Sequence, residues 1–332
     1  MERPVLDKYQ DRIVQAGEKL DRWANVAAFA VGLFVILSTL ASTNWFSDFL
    51  SNLHAHVFVL AVPVFVYLLA RRHYATAAFL AVASIVLLLP LIPFFFGSHP
   101  GEVTEGPVVR VVAANVLYVN DEFGEVINEI EDLDADIIGF HEVTPLWEDE
   151  LAAVDEEYDF RSCVARDDTQ GLCVFSRLDT DGEFFDLGGA ELPTFVGTTQ
   201  VEDTELVISS VHGLFPAPGA WTRDRNSQLR ELADVIADTD GCNVTIVGDF
   251  NATPTNPIVT ELAGDLDLTD ASVGTGYGKS WSSKFFPGWL GGLRIDHALV
   301  DDRVEVLNHE LVDITGSDHK AVVVDLRLPP CP

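Results

Sequence analysis

The stretch TIVGDFNATP, residues 245–254, starts as an apolar strand and then sets an acid and an amide two positions apart, Asp249 and Asn251, around Phe250. Side chains alternate between faces along a strand, so this spacing puts Asp249 and Asn251 on one side of the strand end and the Phe250 ring on the other. A strand that buries its apolar residues and stops on two polar groups facing one way is suited to presenting them.

Other strands stop in the same manner. PVVRVVAANVLYV (107–119) is a β-branched run that reaches Asn115, GEVINEIEDLDA (124–135) places Val126, Ile127, Ile130 and Leu133 at helical spacing, and DIIGFHEV (136–143) is a second strand reaching Glu142. Strand, helix, strand begins an α/β domain. Further strands are predicted at GLCVFSR (171–177), TELVISSVH (204–212), NVTIVGDFN (243–251), RIDHALV (294–300) and KAVVVDLRL (320–328), with a helix at RDRNSQLRELADVIAD (223–238). Asn115, Glu142, His212, Asp249, Asn251, Asp296, Asp318 and His319 all fall at strand ends, where α/β folds gather their sites. One such residue alone is ordinarily a turn or cap. Eight of them point to a site.

The N-terminal part is different in kind. Residues 24–41, 53–70 and 74–96 are nearly continuous apolar runs, and 18 residues of helix span about 27 Å, close to the hydrocarbon thickness of a bilayer. Three transmembrane helices are expected in residues 1–97, followed by a Gly/Pro linker at 98–106 and a catalytic domain at 107–332. A secretory signal peptide would supply one short apolar region, not three. The segment before the first run holds Arg3, Lys8, Arg12, Lys19 and Arg22, the first loop (42–52) holds no Lys or Arg, and the second contains Arg71 and Arg72. By the positive-inside rule the N-terminus is expected in the cytoplasm and the catalytic domain outside, in a multi-pass protein of the cell membrane.

That domain is acidic. The chain carries 20 basic and 52 acidic residues, of which 7 and 6 lie in residues 1–97, so residues 98–332 hold 13 and 46, a net of −33. No basic footprint for nucleic acid is visible, which argues against a polyanionic partner. All four cysteines lie there too; RSCVARDDTQGLCVFSR (161–177) reads as a hairpin that sets Cys163 opposite Cys173, leaving Cys242 with Cys331, and buried thiols are the alternative for each. No CxxC spacing suggests zinc.

NVL at 115, HEV at 141, VHG at 211, GDFNATP at 248, RIDHALV at 294 and GSDHKAVVVDL at 316 together resemble the ordered motifs of the endonuclease/exonuclease/phosphatase superfamily across residues 107–328. The resemblance implies a four-layer sandwich, two packed β-sheets with helices outside, cleaving phosphate esters or pyrophosphates with a divalent metal. It departs from the family in having His141 where Gln is usual before the Glu, and VHG where THL is frequent. By resemblance Glu142, Asp318 and the amide oxygen of Asn115 hold Mg²⁺ or Mn²⁺, as suits hard oxygen donors. Asp249 would orient or deprotonate water, Asn251 and His212 would hold phosphoryl oxygens, and Asp296 would keep His319 charged. Arg223 and Arg225 are candidates to grip a second phosphate, or to form surface ion pairs.

Three spans ahead of such a domain resemble a membrane-anchored branch of teicoplanin-resistance type, which implies a lipid or lipid-linked phosphate as substrate. SWSSKFFPGWLGGLRIDH (280–297) brings Trp281, Phe285, Phe286, Trp289 and Leu290 either into the headgroup region or over the core. The rival expectations are an extracellular metal-dependent nuclease and a non-catalytic membrane-anchored binding module.

Overall fold

The computed structural model describes residues 3–40, 44–217, 219–283 and 288–332. Helix α1 (Arg3–Ser38) is followed by the short α2 (Trp45–Ser51), by α3 (His54–Ala70) and by α4 (Tyr74–Leu88). A 3₁₀ turn at Leu89–Leu91 and α5 (Ile92–Phe96) complete the N-terminal part. Pro90 and Pro93 lack the N–H that would continue an α-helix, which is why the last apolar run changes helix type before its end. Two helices are long and apolar enough to cross a membrane, Tyr9–Ser38 and Tyr74–Phe96; a third span results only if α2 and α3, bent by 64° at their junction, count as one. Of the three spans expected at 24–41, 53–70 and 74–96, the first and third therefore correspond to long apolar helices, and the second rests on the bent α2–α3 pair. The first helix also starts well before residue 24, and position 41 lies outside the described residues.

Arg71 donates to both carboxylate oxygens of Asp21 at 2.8 Å and the Tyr67 hydroxyl donates to one of them at 2.9 Å. This gathers the polar half of α1 and the α3–α4 turn at one end of the helices. At the other end, α2 and α5 touch the rest of the chain.

Residues 108–327 build two six-stranded mixed sheets. The first runs in the order β13-β14-β1-β2-β4-β3, from β1 (Val108–Asn115), β2 (Ile137–His141), β3 (Phe160–Val164), β4 (Leu172–Ser176), β13 (Glu305–Asp313) and β14 (Lys320–Arg327). The second runs β5-β6-β7-β8-β12-β9, from β5 (Thr180–Leu187), β6 (Leu192–Val201), β7 (Thr204–His212), β8 (Thr245–Asp249), β9 (Leu268–Asp270) and β12 (Asp296–Asp301). A two-stranded ribbon pairs β10 (Trp281–Ser282) with β11 (Gly292–Leu293).

Strand alternation makes the layers. Val109, Val111 and Ala113 of β1 enter a core shared with Ile208, Val247 and Ala298 of the facing sheet. Val112 and Ala114 face outward onto α6 (Phe123–Asp132) and α7 (Pro145–Leu151). On the far side, Val207, Ile246 and Leu299 pack against Leu229, Leu232 and Ile258 of α8 (Trp221–Ala237) and α9 (Pro257–Asp265). Helix, sheet, sheet, helix is the expected four-layer sandwich. Both faces of the central strands are covered, hence the unbroken apolar runs in their sequences.

Each sheet contains one parallel pair, β1 with β2 and β7 with β8. Parallel strands end together, so Asn115 lies in register with His141 and His212 with Asp249, while antiparallel β12 brings Asp296 beside Asp249. Gly248 makes this approach possible: its φ is +146°, and a Cβ there would lie 2.0 Å from the Val211 carbonyl oxygen.

Both expected disulfides are formed. Cys163 and Cys173 are cross-strand partners on β3 and β4, ten residues apart, and Cys242 joins Cys331 across 89 residues. Loop-closure entropy then predicts losses of about 3 kcal/mol for opening the short loop and about 4.5 kcal/mol for the long one. Thermal unfolding of the paired Cys→Ala variants should show the larger fall in Tm for Cys242/Cys331; an equal or larger fall for Cys163/Cys173 would contradict the loop-length account.

Candidate active site

The strand ends converge on a cavity of about 290 Å³ whose floor includes Glu142, His212, Asp249, Asn251, Asp318 and His319. Asp249, almost fully buried, is its centre. Its Oδ1 accepts the Asn251 backbone N–H at 2.9 Å. Its Oδ2 accepts from Asn115 Nδ2 at 3.2 Å and Asn251 Nδ2 at 3.4 Å, with His212 Nε2 at 3.4 Å and His319 Nε2 at 3.7 Å. Burial alone would raise the Asp249 pKa, but the neighbouring His319 and His212 and the Asn251 N–H outweigh it and hold the carboxyl well below the usual range.

His319 sits between two carboxylates, with Nδ1 3.0 Å from Asp296 and Nε2 toward Asp249. Burial opposes the charged ring, yet Asp296 and Asp249 prevail and push its pKa up to about 10. His212 is raised in the same way, Asp249 overcoming desolvation. Potential ligand atoms of Asp249, Asp296 and His319 all lie within 4.8 Å of one another, the spacing of a metal trio. The His319–Asp296 hydrogen bond and the 3.7 Å approach of His319 to Asp249 instead describe an imidazolium flanked by two carboxylates.

Glu142 follows β2 in a left-handed conformation, φ +62°, and Asn251 follows β8 with φ +48°. Non-glycine residues adopt such angles at a cost and concentrate at functional sites. Glu142 Oε1 accepts from Asn115 Nδ2 at 3.1 Å and Oε2 from the Tyr118 N–H at 3.0 Å. Asp318 Oδ2 accepts from Trp281 Nε1 at 3.1 Å, whereas its Oδ1 is buried without a partner.

Asn115 directs its amide nitrogen toward Glu142 and Asp249, bridging the two carboxylates, while its Oδ1 accepts the Leu117 N–H at 3.0 Å. Two expectations change, both for arginines. Arg225 is fully buried, donating to Asp48 Oδ2 at 2.7 Å, Asn226 Oδ1 and the Asn251 carbonyl at 2.9 Å, so it has no reach to a phosphate. Arg223 lies on the exposed face of α8 away from the cavity lining. Of the aromatic segment, Trp281 walls the cavity and Leu290 is exposed, while Phe285 and Phe286 lie outside the described residues.

Sequence reading missed several supporting groups. His297, buried beside Asp296 on the opposite strand face, bonds Asp270 at 2.8 Å and the Ala252 carbonyl at 2.8 Å, and Arg294 donates to the same Asp270 at 3.1 Å. The signal was present in RIDHALV, since alternation turns His297 away from Asp296. His141 Nε2 bonds Ser210 Oγ at 3.0 Å, and burial, then His212, pushes its pKa down to about 3, keeping it neutral.

The residues fit a divalent cation. Glu142, Asp249, Asp296 and Asp318 bring four formal negative charges against two imidazoles, leaving an excess of two even with both rings protonated, and among the described residues no Lys or Arg lines the cavity. Uncompensated buried charge is costly, and Asp318 Oδ1 is an acceptor with nothing to accept. Glu142 and Asp318 both line the cavity, where they would hold such an ion.

A two-sheet sandwich with this carboxylate and imidazole cluster at the strand ends has the build of a phosphoesterase. The model of the Endonuclease/Exonuclease/phosphatase family matches residues 112–319, more than half of the chain, and the chain belongs to that family. Its members are phosphoesterase hydrolases that generally use divalent metals. An endonuclease/exonuclease/phosphatase from Beutenbergia cavernae is similar at 21% identity and TM-score 0.52, covering 67% of this chain and 72% of that one. D. rerio TDP2 complexed with a single-strand DNA product is similar at 14% identity and TM-score 0.55, covering 67% and 99%. The 3′ phosphatase NExo from Neisseria bound to a product DNA hairpin is similar at 16% identity and TM-score 0.53, covering 65% and 98%. At these identities the likeness shows the fold. Comparison with curated proteins finds no match.

Proposed function

We propose that this chain is a membrane-anchored phosphohydrolase, dependent on Mg²⁺ or Mn²⁺, that cleaves a lipid-linked phosphate or pyrophosphate at the outer face of the cell membrane. One observation carries the substrate class: the polar floor is walled by Leu214, Phe215, Pro216 and Trp221, and by Phe49 of α2, which lies between apolar helices. Phe215 and Trp221 are each about half exposed at that rim, 51% and 50%. An apolar wall continuous with a membrane segment suits a phosphate carried on a lipid. Tethering also raises the local concentration of a substrate confined to the same membrane. The branch resembling teicoplanin-resistance phosphatases combines such an anchor with this domain, and the Lys/Arg count of the loops supports the outward orientation.

The chemistry follows from the charges. A bound divalent ion would neutralise phosphoryl oxygens and stabilise the charge that builds on them. Asp249, anionic and fixed by the Asn251 N–H, accepts a hydrogen of the attacking water and aims it. The His319 imidazolium and His212 donate to phosphoryl oxygens as negative charge develops. Asp296 holds His319 in its charged form, and Asn115 keeps Glu142 and Asp249 in register.

DNA-bound relatives favour a nuclease as the second reading. A nuclease groove needs cations along a backbone, and among the described residues this cavity offers only imidazoles, within a strongly acidic domain. The deciding experiment is a hydrolysis screen of the full chain in detergent micelles with Mg²⁺ or Mn²⁺ against polyprenyl pyrophosphate, phospholipids, nucleotides and DNA. Turnover of the lipid pyrophosphate at least 100-fold above DNA is expected; robust DNA cleavage would overturn the lipid reading.

A further inference from the structure

Asp48 is the sole charged residue between Arg22 and Arg71. It lies on α2, whose polar face is buried against the catalytic sandwich: Asp48 and Ser51 are each 1% exposed and Asn52 is 3%. An acid in an apolar stretch persists only with a partner, and its partner is Arg225, itself without exposure. The same guanidinium donates through Nη1 to the carbonyl of Asn251. Next along the chain, Asn52 Oδ1 accepts the Thr253 N–H at 2.8 Å, the Thr253 hydroxyl at 3.1 Å and Asn256 Nδ2 at 3.2 Å, and the Ser51 carbonyl accepts the Thr255 hydroxyl at 2.7 Å. Every one of these bonds falls on residues 251–256, the segment that opens with the left-handed Asn251.

We infer that α2 is part of the catalytic apparatus: Asp48, acting through Arg225, and Asn52 are positioning residues that hold the 251–256 loop, and with it Asn251, against Asp249. The inference rests on the phosphohydrolase reading and names how the membrane segment serves the site. A left-handed Asn persists where its surroundings hold it, and Asn251 is held directly by Asp249, Gly213 and Arg225, with α2 reaching it through Arg225 and through residues 253–256 that follow. Phe49 and Asn52 also line the cavity, so the segment that holds the loop forms one wall of the site. A dock that merely attached the sandwich to the helices would not need the Asn251 carbonyl. A contact remote from this loop is the pair of bonds from Arg71 to Asp21, which closes the far end of the helices away from the sandwich.

The test uses the full chain in micelles with a soluble phosphate ester and a lipid pyrophosphate, comparing Asn52→Ala, Asp48→Asn, Asp48→Glu and Asp21→Ala. Loss of supporting partners of this kind costs about 10- to 100-fold in activity. Asn52→Ala, which strands no charge, should lower kcat on both substrates about tenfold or more with KM within about twofold, while amide exchange at Thr253 accelerates to a similar degree. Asp48→Glu should recover part of the Asp48→Asn loss, and Asp21→Ala, which loosens the helices away from the sandwich, should leave kcat within about twofold of wild type at a comparable fall in Tm. Unchanged kcat and unchanged Thr253 exchange in Asn52→Ala would overturn the inference. So would equal loss of kcat in Asp21→Ala, which reduces the effect of α2 to a general loosening of the helices. A wild-type chain inactive on every ester would instead overturn the phosphohydrolase reading, and Thr253 exchange would still show whether α2 holds the loop.

Discussion

Asp249→Asn should lower kcat by about 1,000-fold, within the range a positioned general base contributes, with KM changed far less. The variant keeps the volume and can still accept the Asn251 N–H, so the fold should persist. Four donors crowd Oδ2, from Asn115, Asn251, His212 and His319, and an amide nitrogen there would face them with hydrogens of its own. Turning the amide over moves the same conflict to the Asn251 N–H. Loss of the charge also removes one of the two carboxylates that keep His319 an imidazolium, so the donor to the phosphoryl oxygen weakens together with the acceptor for water. Steady-state kinetics on a variant with unaltered circular dichroism and Tm would check this. Activity within tenfold of wild type would remove Asp249 from the chemistry.

Much of this site was legible because the information is local. The unbroken apolar runs of β1, β2, β7 and β8 announce strands, and the polar residue that ends each run announces the edge where parallel strands finish. Once the register is known, His212 beside Asp249 and Asp296 beside Asp249 follow from pairing alone. What was not legible depends on contacts between distant segments. β5 and β6 escape notice because GEFFDLGGAELPTFVGTTQV breaks its apolar pattern with Gly and Pro, although pairing through the whole of β6 holds both strands. β13 alternates weakly, being half-exposed at the sheet edge. Arg225 reads as a surface cation from its polar neighbours, and only the arrival of Asp48 from 177 positions away buries it. Asn115 gives no sign in the sequence that its amide nitrogen bridges Glu142 and Asp249, 27 and 134 positions away. The bend between α2 and α3 is equally silent in hydropathy, since Ser51, Asn52 and His54 look like a loop and not like a docked polar face.

Chelating divalent ions should bring turnover to background, a loss of about 1,000-fold or more, reversed by Mg²⁺ or Mn²⁺. The expectation comes from the charge imbalance: four carboxylates converge with two imidazoles, and Asp318 keeps a buried oxygen without a donor. Glu142→Gln and Asp318→Asn should each weaken metal dependence, because each removes one negative charge from the pair of carboxylates that would hold the ion. A readout free of catalysis separates this from general damage. Saturating metal at about 100 times its Kd stabilises a folded protein by about 2.7 kcal/mol. Wild type should therefore show a metal-induced rise in Tm that shrinks or vanishes in Glu142→Gln. In metal-free Glu142→Gln the relief of carboxylate repulsion is opposed by the loss of one N–H bond, since both Glu142 oxygens accept, so the metal-induced shift and not the metal-free Tm is the readout. If the variant retained the full metal-induced shift, the ion would have to be held elsewhere, with the Asp249, Asp296 and His319 trio the next candidate. That outcome would also free His319 from its role as donor, because a ring nitrogen given to a metal has no proton to share with a phosphate.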